Sequence, residues 1–465
     1  MRRRTYDPRR PPLTRVGSLP PFALPPSNQP SRGWEPTEQA LQKILDDLLK
    51  PRWSHAASFV AVLSATCGTF CATVALFALW VKRFQPPRLF MMDTEENSRL
   101  LRAMPILLRS YVPNILTWNR HLAGVFGYVK LPGQKPHSTE RVVMPDGGTI
   151  ALSWSALPID GQPVVLLLPG INNDTHMPYV RGLMSVLRSA GHVVAALDWR
   201  GLGEAGTLTG ATCTPRPYCA LCDRDVASAL EHLHSRLPSS PLYAIGFSLG
   251  AGMLLRHLGE SGDRCLLSAA MAVSPSLDAA ANYRNLSQGV QRLYLPIIMA
   301  PLFGYLFTHR RQLRQGPTPL SFLRDVLPKV GTVTGLDELY ARLYGLRGGV
   351  HEYCERASAV HVLDGIARRT LIVHAEDDPI VPAAAMPLDR LMRNPHIVTA
   401  LTRHGGHMGY TAGLSPLGKT WTDRLLVHFL RHCETERRTS STSRSTSGGP
   451  PPPPMIPVFQ VNSRL

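Results

Sequence analysis

Along the middle of this chain, short apolar runs alternate with longer stretches of helical periodicity. Residues 164–168, 242–245, 266–273, 370–373 and 397–401 are apolar on nearly every consecutive position, the pattern of strands buried on both faces. Residues 226–233 and 251–258 carry apolar side chains at helical spacing between them. The expectation is an α/β domain whose mostly parallel central sheet has helices on both faces. About a hundred residues separate the strand at 266–273 from the one at 370–373, more than a sheet crossover needs, so a cap insertion at about 278–350 is expected. Inside it, residues 293–307 are uncharged but broken by Pro296 and Pro301, which predicts a lid or acyl-chain wall and not a membrane span. The pocket beneath should therefore be apolar. Residues 56–81 hold 26 uncharged positions, about 39 Å of helix against a hydrocarbon thickness of about 30 Å. One N-terminal transmembrane helix is expected there. Ala40, Leu41, Ile44, Leu45, Leu48 and Leu49 share one face of a preceding helix, which suits either a bilayer surface or packing on the domain.

The apolar run 242–245 leads into Gly246-Phe247-Ser248-Leu249-Gly250 and then into a helix. A serine between two glycines at a strand-to-helix turn has the form of a nucleophile elbow, in which the turn lifts the hydroxyl clear of the sheet. Such a serine needs a base and an acid, in the order nucleophile, acid, histidine for an α/β hydrolase. After the strand at 370–373 comes Glu376-Asp377-Asp378-Pro379, where Asp378 is the candidate acid and Asp377 the alternative. After the strand at 397–401 comes His404-Gly405-Gly406-His407-Met408-Gly409, where glycines on both sides let His407 fold back over the elbow. His404 is then structural. Backbone donors for an oxyanion fall to Leu249, just after the serine, and to Ile171, in the Pro169-Gly170-Ile171-Asn172 loop after the strand at 164–168.

These residues, with Met144-Pro145-Asp146-Gly147-Gly148, Leu168-Pro169-Gly170, Pro178-Tyr179-Val180-Arg181, Trp199-Arg200-Gly201, Glu352-Tyr353-Cys354 and Ser358, resemble the AB-hydrolase-4 family over roughly residues 119–430. These are membrane-associated α/β hydrolases that include ester synthases, phospholipases and acylglycerol lipases. The resemblance implies Ser248, Asp378 and His407 as nucleophile, acid and base, the same three that spacing selects. Cys354, Arg369 and Ile171-Asn172-Asn173-Asp174 depart from the family pattern, which bears on substrate shape more than on chemistry. Some relatives carry a His-x4-Asp acyltransferase motif. None of the 17 histidines here has aspartate at that distance, so hydrolysis is preferred to transfer.

The chain has 465 residues and a formal charge of +17. It lacks the aromatic-interleaved basic motif that grips nucleic acid, so anionic lipid is the simpler partner. Residues 1–55 are basic and Pro-rich, 82–140 read as a juxtamembrane connecting segment, 141–433 as the hydrolase domain, and 434–465 as a disordered Ser/Thr/Pro-rich tail. Lysine and arginine are balanced across the span, leaving orientation open. Endomembrane location is preferred, although Ser463-Arg464-Leu465 is close to a peroxisomal address. Cys219 and Cys222 form a CxxC, but Cys213, His232 and His234 supply no second paired spacing for zinc, so it reads as a loop entering a helix. No metal or cofactor is expected. The sequence points to a membrane-anchored serine hydrolase of lipid or medium-chain acyl esters. Its rivals are an acyltransferase with the same triad and a catalytically silent membrane scaffold.

Overall fold

The computed structural model describes residues 38–49, 53–131, 133–206, 216–315, 318–329 and 333–444. Residues 1–37, Cys213, the proline run at 450–454 and the Ser463-Arg464-Leu465 terminus lie outside them. The chain divides into two units, Met1–Leu76 and Phe77–Leu465.

In the first unit a helix at Glu38–Leu49 exposes Leu41 and Leu45. It is followed by most of a helix of 29 residues, Trp53–Val81, on which Phe59, Val62, Leu63, Phe70 and Val74 are exposed. Thr66, Thr69 and Thr73 each donate their hydroxyl to the carbonyl four residues back, at 2.7, 2.7 and 2.8 Å. Their polarity is thus spent inside the helix and the surface stays apolar.

The second unit is built on one sheet: β1 (Arg88–Phe90), β2 (Ser138–Val143), β3 (Thr149–Trp154), β4 (Val164–Leu168), β5 (Val193–Asp198), β6 (Leu242–Phe247), β7 (Leu267–Val273), β8 (Arg369–Ala375) and β9 (Ile397–Thr402). Their spatial order is β1-β9-β8-β7-β6-β4-β5-β3-β2. Pairing from β5 through β9 is parallel, while β1, β2 and β3 join antiparallel. Alternation along each strand divides the core between the two faces. Val164, Leu166 and Leu168 pack with Leu230 and Leu254 on one side. Val165 and Leu167 pack with Leu183, Leu187, Leu425 and Phe429 on the other. Each such fully buried aliphatic side chain contributes about 1.5–3 kcal/mol. The strand order reverses around β4, and the loops that leave β4 and β6 meet at that crevice, where open α/β sheets bind ligands.

Two of the recurring motifs turn out to be one structural tie. Arg200, from Trp199-Arg200-Gly201, bonds Asp146 of the β2–β3 turn at 2.6 Å and Asp225 of the Asp223–Arg236 helix at 2.6 and 2.8 Å. Burial alone would depress the guanidinium, yet the two carboxylates raise it, so it stays charged. Cys219 and Cys222 lead into the same helix as a buried loop, as expected.

Residues 82–140 are more than a connector. They supply β1, which pairs with β9 at the sheet edge, the start of β2, and a helix at Arg120–Tyr128. A strand of three residues is too short to show alternation, so periodicity missed it. The C-terminal boundary also moves. The helix Trp421–Arg444 runs past residue 434, with Glu434 bonded to His192 at 2.6 Å and Glu436 to Arg99 at 3.1 Å.

Between β7 and β8 lies the cap, with helices at Ala279–Leu286, Tyr294–Thr308, Val333–Leu343 and Gly349–Ala357. The uncharged Tyr294–Thr308 helix is tied to the connection that follows β5. Tyr305 donates to the Arg200 carbonyl at 3.0 Å and accepts from the Tyr218 N–H at 3.1 Å. His309 bonds the Gly201 carbonyl at 3.0 Å.

Candidate active site

Ser248 stands between β6 and the helix Leu249–Ser261 with φ 52° and ψ −115°. A non-glycine residue held there costs on the order of 1–3 kcal/mol and persists only when its surroundings over-determine it. They do so here. The Ser248 N–H donates to the Val273 carbonyl at 2.9 Å, and its carbonyl accepts from Gly252 at 3.0 Å and Ser276 at 3.2 Å. The flanking glycines are a matter of space. A Cβ on Gly246 would lie 2.6 Å from Ala251 Cα, and one on Gly250 would lie 2.3 Å from the Pro169 carbonyl oxygen.

Asp378 follows β8 in a tight turn that its own carboxylate organises. Oδ1 accepts from the Ile380 and Val381 N–H groups, both at 2.9 Å, and Oδ2 meets His407 Nδ1 at 2.8 Å. Burial works to raise this carboxyl, but the His407 ring beside it and these donors hold it below the usual carboxylate range. An ionised carboxylate only accepts, so His407 Nδ1 carries the proton. That leaves Nε2 to accept from the Ser248 hydroxyl, 2.8 Å away. Ser248, His407 and Asp378 are 7, 2 and 5 % exposed, so the line of three is shielded from bulk water while the serine keeps an opening.

Asp377, the alternative acid, faces elsewhere. Its Oδ1 accepts from the Gly406 N–H at 2.8 Å and its Oδ2 lies 3.5 Å from His404 Nδ1. It ties down the histidine loop without touching the His407 ring. His404 also packs edge-on against Phe84, with centroids 5.4 Å apart.

The Arg120–Tyr128 helix backs that loop, an arrangement sequence reading missed. A Cβ on Gly406 would lie 2.3 Å from the Arg120 carbonyl oxygen, and one on Gly409 would lie 2.3 Å from that of Ala123. The loop glycines therefore allow a backbone-to-backbone seat as well as a turn. The same helix reaches the cap, where His121 Nδ1 and the Tyr294 hydroxyl are 2.5 Å apart. His374, at the end of β8, is a second residue not anticipated. It is fully buried, its Nε2 donates to the Val381 carbonyl at 3.2 Å, and desolvation lowers its pKa, so a neutral ring supports the acid turn from beneath.

Leu249 is the first residue of its helix, so its N–H has no carbonyl partner within it. The loop carrying Ile171 comes close: a Cβ on Gly170 would lie 3.5 Å from Ser248 Cβ. The Gly170 N–H is held by the Tyr179 hydroxyl at 3.0 Å, and that hydroxyl donates to Asn173 Oδ1 at 3.1 Å. Ile171 and Leu249 both face a cavity of about 80 Å³ under the cap. Its lining is mostly apolar, as expected, with a polar minority. Leu286, Leu295, Ile298, Met299 and Leu302 contribute aliphatic surface, and Tyr283, Tyr340 and Asp337 are among the residues that bring polar atoms. A larger cavity of about 470 Å³, around Arg200, Arg216 and Arg256, includes none of the three hydrogen-bonded residues. Among the described residues no group of three or more His, Cys, Asp or Glu side chains is placed to hold a metal ion.

Comparison with known proteins matches residues 160–396 to the family described as serine aminopeptidase, S33. The chain is 28% identical over 353 residues to phospholipase ABHD3 of Mus musculus, covering 72% of this chain and 82% of that protein. It is 28% identical over 378 residues to monoacylglycerol lipase ABHD2 of Danio rerio, covering 76% and 85%. With monoacylglycerol lipase of Saccharomyces cerevisiae it shares 28% identity over 275 residues, 58% of this chain and 60% of that one. With more than half of its length inside the family match, this chain belongs to the serine aminopeptidase S33 family of α/β hydrolases.

Proposed function

We propose that this protein is a membrane-anchored serine hydrolase that cleaves carboxylic esters of lipids or medium-chain acyl groups through Ser248, His407 and Asp378. Ser248 Oγ attacks the ester carbonyl as its proton passes to His407 Nε2. The Leu249 and Ile171 N–H groups receive the charge that grows on the carbonyl oxygen. The His407 proton then leaves with the alcohol, and water, activated by the same ring, releases the acid and restores the serine. Asp378 fixes the tautomer throughout and balances the imidazolium. The single observation that supports this most is the unbroken line of two 2.8 Å hydrogen bonds from Asp378 through His407 to a strained serine. The lipase and phospholipase names of the relatives favour lipid esters as the class. In detergent micelles, a lipid-ester panel should yield free fatty acid and, on rapid quenching, a protein whose Ser248 peptide is heavier by the acyl group. Acyl transfer to added ethanol or lysolipid in preference to water would overturn the hydrolytic assignment.

The anchor in this reading is the helix within residues 56–81. Residues Ser58–Val81 have a mean hydropathy of 1.9 and none of that stretch is buried. The residues from Phe77 on, which belong to the second unit, adjoin apolar side chains of that unit. Trp80 lies edge-on to Trp118 with centroids 5.8 Å apart, and Ile115, Leu116, Leu122 and Val125, close to Trp118 in sequence, are exposed. Gly289–Thr308 is also long and apolar enough to span, but we assign it to the cap because Tyr305 and His309 tie it to the loop after β5. We take an endomembrane bilayer as the location. The full-length chain is expected to stay in the membrane pellet after alkaline carbonate extraction, and its appearance in the supernatant would remove the anchor.

A further inference from the structure

The cavity beside Ser248 contains polarity that the reaction just described does not use. The cavity lined by Ile171 and by Leu249, the residue after Ser248, is also lined by residues of the Val333–Leu343 helix. There the Tyr340 hydroxyl and one carboxylate oxygen of Asp337, Oδ2, are buried with no hydrogen-bond partner among the described residues, although the Asp337 carboxyl also interacts with Tyr283. Asp337 is 4 % exposed and Tyr340 is 3 % exposed, so both polar atoms are withdrawn from bulk solvent. Tyr340 is held by stacking on Tyr353, with centroids 6.1 Å apart and planes 14° from parallel. Buried polar atoms without partners are uncommon, and three around one cavity, the Tyr218 hydroxyl with these two, call for an occupant that hydrogen-bonds.

We propose that Asp337 and Tyr340 are specificity-determining residues that select a short acyl chain carrying a hydroxyl or similar hydrogen-bonding group over a plain alkyl chain. The proposal rests on the hydrolytic reading of Ser248 and adds the substrate class. The chain's methylenes lie along Leu286, Leu295, Ile298, Met299 and Leu302, and its polar end meets the carboxyl and the phenol. The size agrees. A cavity of about 80 Å³ is small beside the volume that drug-sized ligands occupy, which favours the shorter acyl chains of the proposed class. So does the protonation. Burial raises the Asp337 carboxyl to about 7 against the opposing hydrogen bond from Tyr283, so near neutral pH it offers a donor as well as an acceptor. A plain chain would leave both atoms unpaired against methyl groups, the situation in which sites built for a hydroxyl reject its absence.

The test is a series of p-nitrophenyl esters from four to ten carbons, each with and without a terminal hydroxyl, assayed on the full-length protein in micelles. For the length that reaches the end of the cavity, kcat/KM should favour the hydroxylated ester on the order of 10- to 100-fold. Asp337→Leu should reverse that preference, Asp337→Asn should keep most of it, and Tyr340→Phe should lose part of it. A series with no preference at any length overturns the proposal. So does a preference that Asp337→Leu and Tyr340→Phe leave unchanged. Tyr340→Phe removes one oxygen and stands as the second variant if Asp337→Leu does not fold. Fluorophosphonate labelling of Ser248 separates the two levels: labelling kept with selectivity lost supports this inference, whereas turnover that survives Ser248→Ala refutes the hydrolytic reading beneath it.

Discussion

Ser248→Ala is expected to lower ester turnover by about 10^6-fold and to abolish fluorophosphonate labelling, with no loss of folded protein. The size follows from what the hydroxyl does. It is the sole atom that would bond to the acyl group, and the His407 ring and the Asp378 carboxylate act only through it. The substitution should also be benign for the fold. It removes one oxygen and keeps the Cβ, while the elbow is held by backbone bonds to Val273, Gly252 and Ser276 that alanine makes equally well. Relieving the serine of its role does not relieve the strain, since φ 52° is imposed by the turn. Thermal melting beside the labelling assay therefore checks both halves. Turnover within tenfold of wild type would show that a different nucleophile works, and a large fall in Tm would show that the loss was of structure.

The second large effect separates two neighbouring carboxylates. Asp378→Asn should cut kcat by about 10^4-fold, because an amide that donates toward Nδ1 favours the tautomer with its proton on Nε2, where it cannot accept from the serine. Asp377→Asn should cost less than about tenfold in kcat. Its partners are the Gly406 N–H and His404, and an asparagine oxygen can still accept from that N–H. Steady-state kinetics on the two variants decide the matter. Equal losses would mean that the histidine loop depends on both carboxylates as one unit, and a larger loss at Asp377 would exchange their roles.

Those neighbours also mark where sequence reading reached its limit. The pair Asp377-Asp378 could be ranked from the strand before it, but the direction of each side chain depends on a turn closed by the Ile380 and Val381 N–H groups. Ser248 and His407 were easier to pick out, since an elbow between two glycines and a histidine in a glycine loop are local patterns. The central strands were equally open to reading, because burial on both faces makes them apolar at every position. The β1 strand was not, with three residues and its partner more than 300 positions away. The Arg120–Tyr128 helix was missed because small residues announce close packing only when the opposite surface is known. Asp337 and Tyr340 gave no signal either. A lone aspartate at helical spacing reads as a solvated face, and only the folded cap turns it inward.

The seat that the Arg120–Tyr128 helix provides for the histidine loop has a practical consequence for anyone trimming this chain for expression. A recombinant fragment cut to the family match, residues 160–396, would omit both that helix and the loop it supports, and one begun at residue 141 would keep His407 but strip away its backing. A fragment that retains the edge strand, the seat, the loop and the C-terminal helix bonded to Arg99 and His192 starts ahead of Arg88 and runs through the Trp421–Arg444 helix.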